Sequence, residues 1–168
     1  MRLISKVKTK GFSLMDISDA DIDDFILLEK LTHYKYVAEH EYFFGEWNED
    51  ILRSAFAGKR KMTFFKKLIW NNETVGFLCY DQKDDKIDNV FIRISEKAQN
   101  KGVGTLFLSY LKELSLEYSI PVYLVVIKTN PARHLYEKFG FHIVAEIPKA
   151  FKLKDGTYLN EFHMQKHL

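Results

Sequence analysis

Residues 87–118 read IDNVFIRISEKAQNKGVGTLFLSYLKELSLEY, and the fold follows from how this stretch divides. Val90, Ile92 and Ile94 alternate with Phe91 and Arg93, the two-residue period of a β-strand. Ser95 to Lys101 is too polar to extend that strand, and Gly102-Val103-Gly104-Thr105 follows. From there Val103, Leu106, Phe107, Tyr110, Leu111, Leu114 and Tyr118 recur three and four residues apart, which predicts a helix with one apolar face. The polar turn feeds the first turn of that helix, where free backbone N–H groups and the positive end of the dipole gather. Two glycines two apart let a pyrophosphate approach such a backbone with no Cβ in the way.

Two common glycine motifs do not fit. A dinucleotide fingerprint needs a glycine where Phe107 stands, and a P-loop needs Lys-Ser/Thr where Thr105-Leu106 stands. What remains is Gln99-x-x-Gly102-x-Gly104. Downstream lies Asn130-Pro131-Ala132-Arg133-His134-Leu135-Tyr136-Glu137-Lys138-Phe139-Gly140-Phe141. Together the two segments resemble the pyrophosphate-binding turn and the later Leu-Tyr helix of the GNAT family of acyl-CoA N-acyltransferases. The step from Asn130 to Tyr136 is one residue shorter than the usual family spacing and looks like the branch with an Asn-Pro-Ala-Arg-x-Leu-Tyr motif.

Composition bounds the alternatives. A chain of 168 residues with 46% hydrophobic and 29% charged residues is expected to form one domain, residues 1–168, with a sizeable core. Lys and Arg number 25 against 23 Asp and Glu, a net +2, too balanced for a domain driven onto nucleic acid by phosphate contacts. Cys79 is the only cysteine, so no internal disulfide can form. With no apolar leader after Met1-Arg2 and no apolar run long enough to span a bilayer, the expectation is a cytoplasmic protein without a membrane partner.

Taken in order, Arg2, Lys6, Lys8 and Lys10 mark either a short edge strand or a basic tail. Phe12 to Ile17 reads as a strand. Ser18-Asp19-Ala20-Asp21 starts a helix running to about Tyr36, and Asn48 caps a second that stops at Gly58. Strands are predicted at Met62–Trp70 and Thr74–Tyr80, joined by an Asn71-Asn72-Glu73 turn. Val122 to Ile127 is apolar at nearly every position, as in a strand buried on both faces. With the strand before the long helix it forms one parallel β-α-β crossover. Pro131 and Gly140 bracket the next helix. Strands at Phe141–Ile147, Phe151–Lys154 and Tyr158–Met164 follow, the last two turning at Asp155-Gly156. The order β-α-α-β-β-β-α-β-α-β-β is that of the GNAT fold. The resemblance therefore implies an α/β (α+β) fold: a mixed, mostly antiparallel central sheet with helices on both faces. Its two parallel strands splay to admit acyl-CoA.

The resemblance also implies N-acetyltransferase activity with acetyl-CoA as cosubstrate, and it distributes roles. Backbone N–H groups of Gln99, Asn100, Lys101, Gly102, Val103, Gly104 and Thr105 are expected to hold the pyrophosphate, with Lys101, Arg133 and Lys138 adding charge. The Ile92-Arg93-Ile94 backbone is expected to pair with the pantetheine and meet the thioester oxygen. Tyr136 is the expected acid for the departing thiolate, since a phenol is protonated at neutral pH and a thiolate needs a proton. Asn130 contacts the cofactor or simply caps its helix.

An ammonium acceptor must also lose a proton. Glu39, Glu41, Glu46 and Asp88 are the candidate relays, Glu41 first, because the aromatic segment from His33 to Trp47 occupies the place of the family's acceptor pocket. The expected acceptor is a small-molecule amine and the expected assembly a monomer or homodimer. A protein N-terminus or lysine as acceptor, or an acyl-CoA-binding module without catalysis, are the other readings. No metal is expected: His163 and His167 lie on a predicted strand without a third ligand. Cys79, between apolar neighbours, reads as a buried structural thiol.

Overall fold

In the computed structural model, which describes residues 11–40 and 47–167, the strand of residues 87–94 is the fourth of seven. The strands are β1 (Phe12–Asp16), β2 (Phe64–Trp70), β3 (Glu73–Gln82), β4 (Ile87–Ile94), β5 (Val122–Ile127), β6 (His142–Lys152) and β7 (Tyr158–Lys166). They form one sheet in the order β1-β2-β3-β4-β5-β7-β6. Every neighbouring pair is antiparallel except β4 with β5. The helices are α1 (Ile22–Glu29), α2 (Lys35–Glu39), α3 (Glu49–Lys59), α4 (Val103–Tyr118) and α5 (Ala132–Lys138).

Alternation along β2 and β3 divides the core between two faces. Phe65, Phe77 and Cys79 pack under α1 and α3 with Phe25 and Phe56, the Phe25 ring lying 5.3 Å from Phe56 and 5.5 Å from Phe77. Leu68, Val75 and Leu78 face Val103, Leu106 and Phe107 of α4 on the opposite side. Further along α4, Leu108, Leu111 and Leu114 cover Val122, Leu124 and Val126 of β5 with Phe162 and Met164 of β7. Helices thus lie on both faces of the sheet.

The element order matches the expectation, with two local differences. The first helix does not end near Tyr36: α1 passes through one wide turn at Lys30–Tyr34 into α2. Thr32 Oγ1 donates to the carbonyl of Leu28 at 2.7 Å there, the side-chain competition that loosens a helix. The two short strands expected at 141–147 and 151–154 are one strand, β6, which keeps pairing with β7 across a register shift between Ile147 and Phe151. Lys149 takes φ 55° inside that irregularity. The basic segment 1–10 lies outside the described residues.

Candidate active site

β4 and β5 form a ladder pair at one position only. Ile87 pairs with Val122, and the Ile87 N–H donates to the Pro121 carbonyl at 2.9 Å. Beyond that contact the strands diverge. The Ile92 carbonyl accepts from Arg93 Nη1 at 3.2 Å and the Ile94 carbonyl from Gln99 Nε2 at 3.1 Å. An extended residue projects its N–H and C=O to the same edge, so Ile92 and Ile94 turn both groups toward the gap while the other edge of β4 pairs with β3. A register break opposite Cys79–Asp81 bends β4 where it leaves β5. Asn89 stands there with φ 52°, its Nδ2 donating to Asp81 Oδ2 at 2.8 Å.

Next to the open end of β4 lies the glycine turn. Ser95 to Ala98 makes one helical turn, and the Gln99 N–H donates to the carbonyls of Ser95 and Glu96, each at 3.1 Å. Its amide is therefore engaged within the chain. Asn100 and Gly102 both take left-handed backbone, φ 58° and 83°. The Gly102 carbonyl accepts from Leu106 at 3.0 Å, the opening bond of α4. Among the described residues no amide from Asn100 to Thr105 donates to a protein acceptor. Those donors converge at the positive end of a 16-residue helix, an arrangement that suits a phosphate. Gly104 serves another purpose as well: a Cβ on it would lie 3.1 Å from Leu135 Cδ2, so α4 and α5 meet there.

α5 begins where Asn130 Oδ1 accepts the Ala132 N–H at 2.9 Å, and Asn130 is occupied as the start of its own helix. Arg133 leans over Phe162 at 5.6 Å and along Glu137 at 3.5 Å. Tyr136 is half-buried and packs on the Phe141 ring at 6.1 Å. Burial pushes its phenol above the ordinary value, and the nearby Arg93 guanidinium pulls the other way without overcoming it.

On the opposite face, under the end of α3, a cavity of about 810 Å³ opens against Asp88 to Phe91 of β4 and Tyr123 to Val125 of β5. Its size suits a small molecule. Helices α4 and α5 thus stand on one side of the splayed strands and this cavity on the other.

Those features agree with the sequence profile of the acetyltransferase (GNAT) family, which matches residues 26–141. The chain belongs to the acetyltransferase (GNAT) family. No curated protein matches it as a relative by sequence. Among solved structures it resembles the ribosomal-protein-S18-alanine N-acetyltransferase of Escherichia coli, with a TM-score of 0.70, 19% identity and 92% of each chain covered. It also resembles yncA, a putative acetyltransferase of Salmonella typhimurium solved with its cofactor acetyl-CoA, with a TM-score of 0.66, 16% identity and 94% of each chain covered. Arabidopsis thaliana Naa50, in complex with the bisubstrate analogue CoA-Ac-MVNAL, has a TM-score of 0.66 and 17% identity over 94% of this chain and 99% of that one.

The charged groups of this GNAT site sort by their partners. Glu39 is exposed and pairs with Lys35 at 3.9 Å. Glu41 and Glu46 lie outside the described residues. Burial pushes the Asp88 carboxyl up, but Lys83 at 2.8 Å and Lys86 at 3.0 Å outweigh it and hold the group below the usual carboxylate range. A carboxylate held that low is a weak base at neutral pH. Asp81 accepts from Thr63 N at 3.3 Å as well as from Asn89.

Two features of the site have no signature in the sequence. Glu29, 5% exposed, accepts from Arg93 Nε at 2.8 Å and ties α1 to β4. Nothing in the helical pattern distinguishes Glu29 from its solvated neighbours. His33 lies where burial, with a contribution from Arg93, lowers its pKa from 6.5 to about 4. Cys79 is buried and its thiol is pushed up to about 12, chiefly by desolvation. His163 lines the cavity with Nε2 2.9 Å from Glu161, while the His167 ring stacks on His142 at 5.5 Å. Among the described residues no three His, Cys, Asp or Glu side chains form a metal site, and no helix is long and apolar enough to cross a membrane.

Proposed function

We propose that this chain moves the acetyl group of acetyl-CoA to a primary amine of a small molecule, by direct attack of the amine on the thioester. The observation that carries the reading is that β4 pairs with β5 at one position only, Ile87 with Val122. It leaves the Ile92–Ile94 edge open between a face bearing a cluster of free amides and a face bearing a cavity. The residues fit the cosubstrate: amides from Asn100 to Thr105 hold the pyrophosphate, with Lys101 in the turn and Arg133 and Lys138 on the helix packed against it at Gly104 as the groups that add charge. The N–H groups of Ile92 and Ile94 polarise the thioester carbonyl. Gln99 supports the turn through its side chain on Ile94, and Asn130 supports the helix that carries Tyr136.

In this mechanism the C–N bond forms as the C–S bond breaks. The Tyr136 phenol, kept protonated by its surroundings, gives its proton to the departing thiolate. Glu41 is the proposed acceptor of the amine's proton, through water. The test is release of free thiol from acetyl-CoA by the purified chain, measured against a panel of small amines, peptides and lysine-containing proteins. Turnover with small amines supports the reading, turnover with peptides alone moves it to a protein acetyltransferase, and binding of acetyl-CoA without any turnover makes the chain an acyl-CoA sensor.

A further inference from the structure

Among the described charged residues that line the cavity, Lys59 and Asp81 have no ion-pair partner, and of the two only Lys59 lacks a hydrogen bond as well. Lys59, in the last turn of α3, holds its Nζ 3.6 Å above the Phe91 ring, and among the described residues it forms no ion pair. Every other charged side chain lining the cavity is engaged. Asp81 accepts from Asn89 and Thr63, and Asp88 holds Lys86 at 3.0 Å together with Lys83 at 2.8 Å. The guanidinium that shares the Phe91 ring with Lys59, Arg93 at 4.4 Å, is already spent on Glu29 and on the Ile92 carbonyl. Lys59 is half-buried, and that burial lowers its pKa by disfavouring the ammonium. The same cavity presents an apolar stretch of lining, Val90, Phe91, Leu124 and Val125, beside its polar residues.

A desolvated, unpaired ammonium above an aromatic ring gains most from an anion that enters beside it. A single ammonium suits a single negative charge, whereas a phosphate group usually recruits several donors or an arginine fork. We infer that Lys59 binds the carboxylate of the acceptor, and that the acceptor is an α-amino acid or similar small amine bearing a carboxylate and an apolar side chain. The inference rests on the N-acetyltransferase reading and narrows its substrate class.

The test compares leucine, methionine and phenylalanine with their carboxamides as acceptors, in wild type and in Lys59→Met, which keeps the apolar stem and removes the charge. Wild type should prefer each acid over its amide in kcat/KM. In the variant that preference should fall about 10- to 100-fold, the worth of a charge-assisted hydrogen bond. A thermal unfolding curve within a few degrees of wild type confirms that the variant folds. A second measurement needs no turnover: calorimetry with N-acetylleucine, N-acetylmethionine and N-acetylphenylalanine, each beside its amide, should show acid-selective binding that Lys59→Met removes. Acetylation that ignores both the carboxylate and Lys59 overturns this inference and leaves the acetyltransferase reading standing. Lys59-dependent binding of the acids by a chain that acetylates no amine overturns the acetyltransferase reading and leaves the anion site. Absence of any acid preference in both measurements overturns the role of Lys59.

Discussion

Leu135 closes over Gly104: its Cδ2 lies 3.1 Å from the point where a Cβ would stand. The turn that opens α4 and the helix that carries Tyr136 are therefore packed together, and a change in one reaches the other. Alanine at 104 asks Leu135 to give by a few tenths of an ångström, and the helix gains from losing a glycine, so Gly104→Ala should leave stability within about 1 kcal/mol of wild type. Valine asks for far more room. Gly104→Val should cost about 1–3 kcal/mol in urea unfolding and weaken acetyl-CoA binding by at least tenfold in calorimetry. An unchanged affinity in a folded valine variant would place the phosphate site elsewhere.

Tyr136→Phe separates a proton from a ring. The phenylalanine retains the packing on Phe141, so folding and acetyl-CoA affinity should survive. Loss of a general acid should lower kcat by about 10²–10⁴-fold with little change in KM for acetyl-CoA. Because burial raises the phenol's pKa, the acid stays protonated through the neutral range, and loss of activity from its ionisation should appear on the alkaline side of an ordinary phenol's titration. A variant with more than half the wild-type kcat, chemistry being rate-limiting, removes Tyr136 from the reaction.

Gly76 faces β4 with no room to spare, since a Cβ there would sit 2.6 Å from the Arg93 carbonyl oxygen. That oxygen is backbone and cannot swing away. Gly76→Ala should force β3 and β4 apart, costing about 2 kcal/mol or more, and should move the Ile92–Ile94 edge. Both a lower unfolding midpoint and weaker acetyl-CoA binding are expected; a variant as stable as wild type would show that β4 is not held there.

His33 makes stability depend on pH in a window separate from the carboxylates. Its folded-state pKa is about 4 against an ordinary 6.5, so the unfolded chain takes up the proton first as pH falls. The contribution is complete above about pH 6.5 and is lost as pH drops toward 4, amounting to about 2–3 kcal/mol over the window. Unfolding measured from pH 7 to 4.5 should show this decline in wild type and a flatter profile in His33→Gln. Parallel profiles would mean that the imidazole titrates alike in both states.

What the sequence determined on its own is what short-range periodicity and backbone chemistry dictate. The alternation in Val90–Ile94, the helical spacing from Val103 to Tyr118, and the Pro131 and Gly140 brackets placed these elements within a residue or two. The two motifs named the family, because a glycine turn at a helix start and a Leu-Tyr helix are local patterns.

Other features were decided only when distant segments met. Long-range pairing carries β6 across residues 148–150, where local sequence suggests a break, because the β7 ladder continues on either side. The pairing of Glu29 with Arg93 joins residues 64 apart, and no period in either segment anticipates it. Lys59 reads as an ordinary lysine near a helix end. Its lack of a counter-charge appears only once Asp81, Asp88 and Glu29 have each found other partners, since a charge's worth depends on every group around it and not on its neighbours in the chain.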